Sequence, residues 1–91
     1  MGEKEKYPIV LVEWYDTTFY NQIYSDREIE GKLDCSLCFN VGYLISKDKE
    51  LVKLAAHYYE NKYNGEVSYT DINIIPRSCV VRIKTLLDKT T

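Results

Sequence analysis

The residues that most often advertise chemistry are scarce in this chain of 91 residues, which has one histidine, one methionine, one tryptophan, two prolines, four glycines and three cysteines. His57 stands without a serine, cysteine or acidic residue at a spacing that marks a catalytic group. Neither a glycine-rich phosphate loop nor a paired-carboxylate signature occurs. These absences point away from an enzyme. Charge of one sign is missing too. The 12 Lys and Arg and 14 Asp and Glu, net −2, alternate along the chain without a run, whereas nonspecific duplex binding needs a basic face to displace counterions from phosphates. An odd set of three cysteines does not form a disulfide framework, so free thiols and a reducing compartment are expected. The apolar run Ile9 to Val12 is far too short to span a bilayer, and the acidic residues among Met1 to Lys6 do not suit a signal peptide. Gly2 lacks the Ser or Thr a myristoylation signal wants, since Lys6 stands there. The expectation is a protein of the cytoplasm with no membrane partner.

What is present is strand chemistry. The length suits one small domain over residues 1–91, with residues 1–6 as a flexible start. Tyr7 to Trp14 is rich in β-branched and aromatic residues, with Pro8 only at its beginning. Apolar residues fall on both of its faces, which asks for cover from the following insert or from a second subunit. Residues 16–32 read as that insert. Within it, Ser25 and Glu28 are spaced as a capping box, Tyr24 and Ile29 as a hydrophobic staple, and Gly31 as the stop of a short helix. From Leu33 to Ile45 the odd positions are Leu33, Cys35, Leu37, Phe39, Val41, Tyr43 and Ile45, a period of two that marks a long half-buried strand, with Gly42 suggesting a bend or bulge.

Residues 50–59 carry two patterns. Leu51, Leu54, Ala55, Tyr58 and Tyr59 would make a helical stripe, but the polar turn Ser46 to Lys49 directly after a strand favours a hairpin, and strand is the reading adopted. Residues 60–66 form a loop with an Asn64-Gly65 turn signal. Strand chemistry resumes from Val67 to Ile75, breaks at Pro76-Arg77-Ser78, and returns from Cys79 to Lys84.

Cys35, Cys38, His57 and Cys79 add up to a zinc-like donor set, with Cys-x-x-Cys spacing in the first pair. Residues three apart on an extended strand project to opposite faces, and Ser36-Leu37 offers no knuckle turn. No metal and no cofactor is therefore expected. Cys35 and Cys79 read as small apolar core residues.

Five short strands with a break at Ile75-Pro76-Arg77-Ser78-Cys79-Val80 resemble the small β-barrels of the Src-homology-3 and Sm-like type, in which a turn of 3₁₀ helix often joins the fourth and fifth strands. The order Trp14-x-Asp16, an insert, Val41-Gly42-Tyr43-Leu44, Leu54-Ala55, Ile75-Pro76 and Ile83 is similar to small uncharacterised proteins encoded by bacteriophages. This resemblance implies a mainly β fold, a five-stranded barrel with a short helical insert after the first strand, working in the host cytoplasm. Trp14-Tyr15-Asp16 only partly echoes the aromatic motif of a peptide-binding Src-homology-3 groove, and the loop motifs of Sm-like RNA binders are absent, so no ligand carries over.

Nine tyrosines are the informative excess. Tyrosine offers large contact area with few rotors to freeze, and its ring stacks on nucleobases. Trp14, Tyr20, Tyr24, Tyr58, Tyr59 and Tyr63 are the candidate ligand-binding rings, with Asp16 and Arg77 as polar anchors. For Asp16 an Asx-turn over Thr17 and Thr18 is the structural alternative, and for Arg77 a solvated turn. The functional expectation is a non-enzymatic phage-type anti-defence protein that sequesters a small signalling nucleotide, with a subunit interface of a homo-oligomer as one place to hold it. The alternatives are an inhibitor that binds a host defence protein, and an oligomerising virion or replication accessory domain.

Overall fold

The β-branched and aromatic run after Pro8 becomes strand β1 (Ile9–Asp16), and every later stretch of strand chemistry pairs in turn onto it or its neighbour. The structure is a computed structural model that describes residues 7–88, so the expected flexible start over residues 1–6 lies outside the described residues. After β1 come helix α1 (Asp26–Lys32), strands β2 (Ser36–Lys47), β3 (Leu51–Glu60) and β4 (Val67–Pro76), a 3₁₀ turn (Arg77–Cys79) and strand β5 (Val80–Leu87). The segment 51–60 is strand, and the turn at Pro76 is the expected 3₁₀ helix.

All pairings are antiparallel, and the strand order is β4-β3-β2-β1-β5. The last strand thus returns to the first, as closure of a barrel requires, but β4 and β5 remain the two edges of an open sheet. The expected barrel is corrected to a coiled, unclosed five-stranded sheet. Two features keep the seam apart. β2 and β3 pair only from Tyr43 to Lys47 against Val52 to Ala55, so the β3–β4 hairpin leaves the sheet beyond that stretch. On the β4 edge, Asp71 adopts φ 56°, a left-handed conformation that breaks the regular run of edge donors and acceptors. The radius of gyration, 17.7 Å, accordingly exceeds the roughly 12 Å of a compact chain of this length.

Curvature comes from three irregularities, between Ile9 and Val10 and between Glu13 and Trp14 in the β1–β5 ladder, and between Leu44 and Ser46 in the β2–β3 ladder. Each places an extra residue on one strand and increases the local twist. Gly42 is not the bulge; its lack of a side chain serves close approach instead. A Cβ there would stand 2.8 Å from the Ala55 carbonyl oxygen and 3.3 Å from Leu54 Cβ.

The coiled sheet encloses Val10, Val12, Val52, Leu54 and Ile75, with Trp14, Leu44, Val80 and Ile83 packed against them. Register explains the set. Val10, Val12 and Trp14 lie opposite Gly42, Asn40 and Cys38 on β2, and opposite Thr85, Ile83 and Val80 on β5. The core therefore takes the even positions of β2. Its apolar odd positions Leu37, Phe39 and Val41 point the other way and are exposed, by 44, 59 and 55 %. Cys35 precedes the strand and is exposed, and Cys79 is half-buried in the 3₁₀ turn. The expected burial of both thiols in the core is corrected accordingly.

α1 starts as its sequence dictates. The Ser25 side chain accepts from the Glu28 amide and the Glu28 carboxylate accepts from the Ser25 amide, completing the capping box. Gly31 does not stop the helix, which runs on to Lys32 and ends at an extended Leu33. No residue of α1 is buried, and Ile29 is 52 % exposed.

Candidate functional site

The candidate rings and anchors fall into three groups. The first lies where β1 meets the insert. Trp14 packs on the core and its indole Nε1 donates to Asn40 Oδ1 at 2.7 Å, a partner that the face shared by β1 and β2 supplies. Asp16 Oδ1 accepts from the Thr17 amide at 2.8 Å, so the carboxylate shapes the turn out of the strand. Beyond it, Thr18 Oγ1 accepts from the Ser36 amide at 3.1 Å, and the Tyr20 hydroxyl donates to the Asp34 carbonyl at 3.1 Å. Tyr20 also meets Tyr24 edge to face, centroids 6.0 Å apart. The insert is thus tied at both ends by short polar contacts, while Phe19 and Ile23 project into solvent, 87 and 100 % exposed.

The second group runs along the β3–β4 hairpin. Tyr58 joins a file of rings: Tyr43 at 5.4 Å, Tyr69 at 6.2 Å, and Tyr7 on Tyr69 at 5.7 Å. Burial within this file, and then the neighbouring Tyr7, Tyr58 and Tyr43, push the Tyr69 hydroxyl above its ordinary value of 10.0. Tyr59 is 60 % exposed, and Tyr63 at the hairpin tip is 87 % exposed with Lys62 Nζ 5.5 Å from its ring centre. The tip itself is the expected turn, with Gly65 at φ 74° and the Asn61 side chain accepting from the Tyr63 amide.

Arg77 stands apart as the third group. Its amide donates to the Glu50 carbonyl and its guanidinium Nη1 to the Asp48 carbonyl at 3.2 Å, which locks the 3₁₀ turn onto the β2–β3 turn. In that turn the Leu51 and Glu50 amides both donate to Asp48 Oδ1 at 2.8 Å and hold its carboxyl below the ordinary 3.8. Arg77 and Tyr63 mark opposite ends of the hairpin, about 30 Å apart along nine residue steps of strand. Within one chain Arg77 and the hairpin-tip rings Tyr59 and Tyr63 do not share a pocket.

Sequence reasoning missed the polar pairs that form between strands, His57 with Asp71 among them. His57 Nδ1 lies 2.8 Å from Asp71 Oδ2, both side chains being about two-thirds exposed. The partners are 14 residues apart in sequence, so only knowledge of the β3–β4 register would have found them. Among the described residues no group of three or more His, Cys, Asp or Glu side chains is placed to hold a metal ion, and no helix is long and apolar enough to cross a membrane. A shallow depression beside α1 is lined by Ser25, Arg27, Glu28, Gly31 and Lys32.

Comparison with protein families, curated proteins and solved structures finds no match to this chain.

Proposed function

We propose that this chain is a non-enzymatic binding protein of the bacteriophage small-barrel type, acting in the host cytoplasm, and that it blunts a host defence by engaging a defence protein through residues 16–32 and the tip of the β3–β4 hairpin. One observation carries the reading: large apolar side chains stand in water on irregular backbone whose ends are pinned, with Phe19 87 %, Ile23 100 % and Tyr63 87 % exposed. Burying such anchors is what drives association, and pinning the loop beforehand lowers the entropy lost on binding. The meander whose fifth strand pairs with the first, and the 3₁₀ turn before that strand, support kinship with the small barrels, although here the sheet stays open.

A small signalling nucleotide is the second reading, favoured by the exposed rings of Tyr59 and Tyr63 as stacking platforms. Small-molecule sites are concave, and Arg77 could meet those rings only across two copies of the chain, so this reading ranks below the first.

The two readings separate in one preparation. Tagged protein expressed in host cells is captured alongside the Phe19→Ser, Ile23→Ser double variant. A stoichiometric host protein retained by the parent and lost, by tenfold or more, by the variant is the expected result. Nucleotide released on denaturation, with no protein retained, would shift the assignment to the second reading; neither would overturn both.

A further inference from the structure

We infer that Asn64, at the tip of the β3–β4 hairpin, is a site of spontaneous covalent modification: its side-chain amide is lost as ammonia through attack by the Gly65 backbone nitrogen, at a rate governed by the hydrogen bond that holds that nitrogen. The only co-reactant is water.

The Asn64-Gly65 pair supplies both reactants. Attack of the Gly65 nitrogen on Asn64 Cγ closes a five-membered ring, and glycine brings no side chain to crowd it. The surroundings leave the ring room. Both residues are exposed, and beyond its chain neighbours no atom stands within 4 Å of where a Gly65 Cβ would be. Asn64 Oδ1 accepts from the Glu66 amide at 2.9 Å, an Asx turn that folds the carboxamide back along the Asn64–Gly65 peptide. The same donor polarises the Cγ carbonyl and is in place to stabilise the negative charge that gathers on Oδ1 as the nucleophile adds.

The nucleophile, by contrast, is restrained. The Gly65 amide donates to the Asn61 carbonyl at 2.7 Å, so the proton that must leave before attack is engaged. Asn61 also winds the tip. Its side-chain oxygen accepts from the Tyr63 amide at 2.8 Å and the Asn64 amide at 3.3 Å, and its own amide donates to the Glu66 carbonyl at 2.8 Å. The turn therefore prepares the electrophile and holds back the nucleophile, and opening of the Asn61–Gly65 bond gates the reaction.

Loss of the Gly65 amide proton to water frees a lone pair that forms the N–Cγ bond. The Cγ–Nδ2 bond breaks, and ammonia leaves with a proton. Water then opens the cyclic imide at one of its two carbonyls: opening at Cγ gives an aspartyl residue, and opening at the backbone carbonyl gives an isoaspartyl link with the main chain routed through the side chain. Nothing is oxidised or reduced. Either product adds one negative charge to a chain of net −2. This chemistry is independent of what the hairpin tip binds.

The purified full chain, kept in warm, mildly alkaline buffer and sampled over weeks, tests the assignment. Trypsin cuts after Lys62 and Arg77, so one peptide carries both Asn64 and Asn73. Asn73 is also exposed, but it lies within β4 and is followed by the β-branched Ile74, which makes it an internal reference. Mass spectrometry with fragmentation locates the gain of one mass unit. Asn64 is expected to convert at least tenfold faster than Asn73, into two products that separate on chromatography. Asn61→Ala, which loosens the tip, is expected to speed the conversion at least threefold, whereas Asn61→Asp keeps a side-chain acceptor and should stay near the parent rate. An Asn64 that converts no faster than Asn73 in the parent chain, or no faster in Asn61→Ala than in the parent, would overturn the inference.

Discussion

A glycine in the middle of a strand ordinarily costs stability, because it loses more backbone freedom than any other residue and packs nothing. Gly42 repays that cost through proximity. It is buried on β2 where β3 crosses closest, and the nearest atoms to a Cβ would be the Ala55 carbonyl oxygen at 2.8 Å and Leu54 Cβ at 3.3 Å. The first is backbone in the middle of a ladder and cannot rotate away. Gly42→Ala should therefore destabilise the fold by about 2 kcal/mol, the range found for overpacked sites, in spite of alanine's better conformational entropy. The denaturant midpoint measures it: a fall with unchanged slope is expected, and an unchanged or higher midpoint would mean that β3 gives way at no cost. The same atoms show what was legible at this scale. That Gly42 breaks the pattern is visible in the sequence; that the break serves approach, while the bulge falls two to three residues later between Leu44 and Ser46, depends on which carbonyl faces it, and that is a property of the pairing.

At the scale of elements, contacts between near neighbours were readable and contacts between strands were not. The Ser25–Glu28 box closes within one turn of chain, so the sequence alone places the start of α1. The period of two from Leu33 to Ile45 announces a strand, yet the period is the same whichever face is buried. The apolar odd row of β2 looks like the core side; register with Val10 and Val12 puts Asn40 and Gly42 there instead and leaves Leu37, Phe39 and Val41 outside. The His57–Asp71 pair was hidden for the same reason. α1 supplies the test at this scale. With no buried residue it has little tertiary packing to hold it, and a helix of seven residues is marginal by itself, so its cap carries an unusual share of its stability. Ser25→Ala removes the acceptor for the Glu28 amide and is expected to cost the helix about 1 kcal/mol. Amide exchange across Asp26–Lys32 should quicken roughly fivefold, while the global unfolding midpoint stays put, because the insert contributes nothing to the core. A parallel loss of global stability would show that the insert is packed on the sheet after all.

For the whole molecule the governing fact is how little is inside. Only Val10, Val12, Val52, Leu54, Ala55 and Ile75 are buried apolar residues among those described, and no buried charged or polar residue accompanies them. The open seam between β4 and β5 explains the shortage, since a sheet that coils without closing has one shielded face and two bare ends. Leu54 is the keystone of that small core, 1 % exposed, opposite Leu44 on β2 and two residues along β3 from Val52, which itself lies opposite Ile75 across the hairpin. Truncation to alanine in such a place removes about 2–5 kcal/mol, while a domain of ordinary stability has about 5–15 kcal/mol in total and a small one sits at the low end. Leu54→Ala is therefore expected to abolish cooperative thermal unfolding at low micromolar concentration, leaving a sloping near-ultraviolet dichroism signal in place of a transition. A variant that melts sharply and at the parent's temperature would mean that the inner core is not what holds the sheet together.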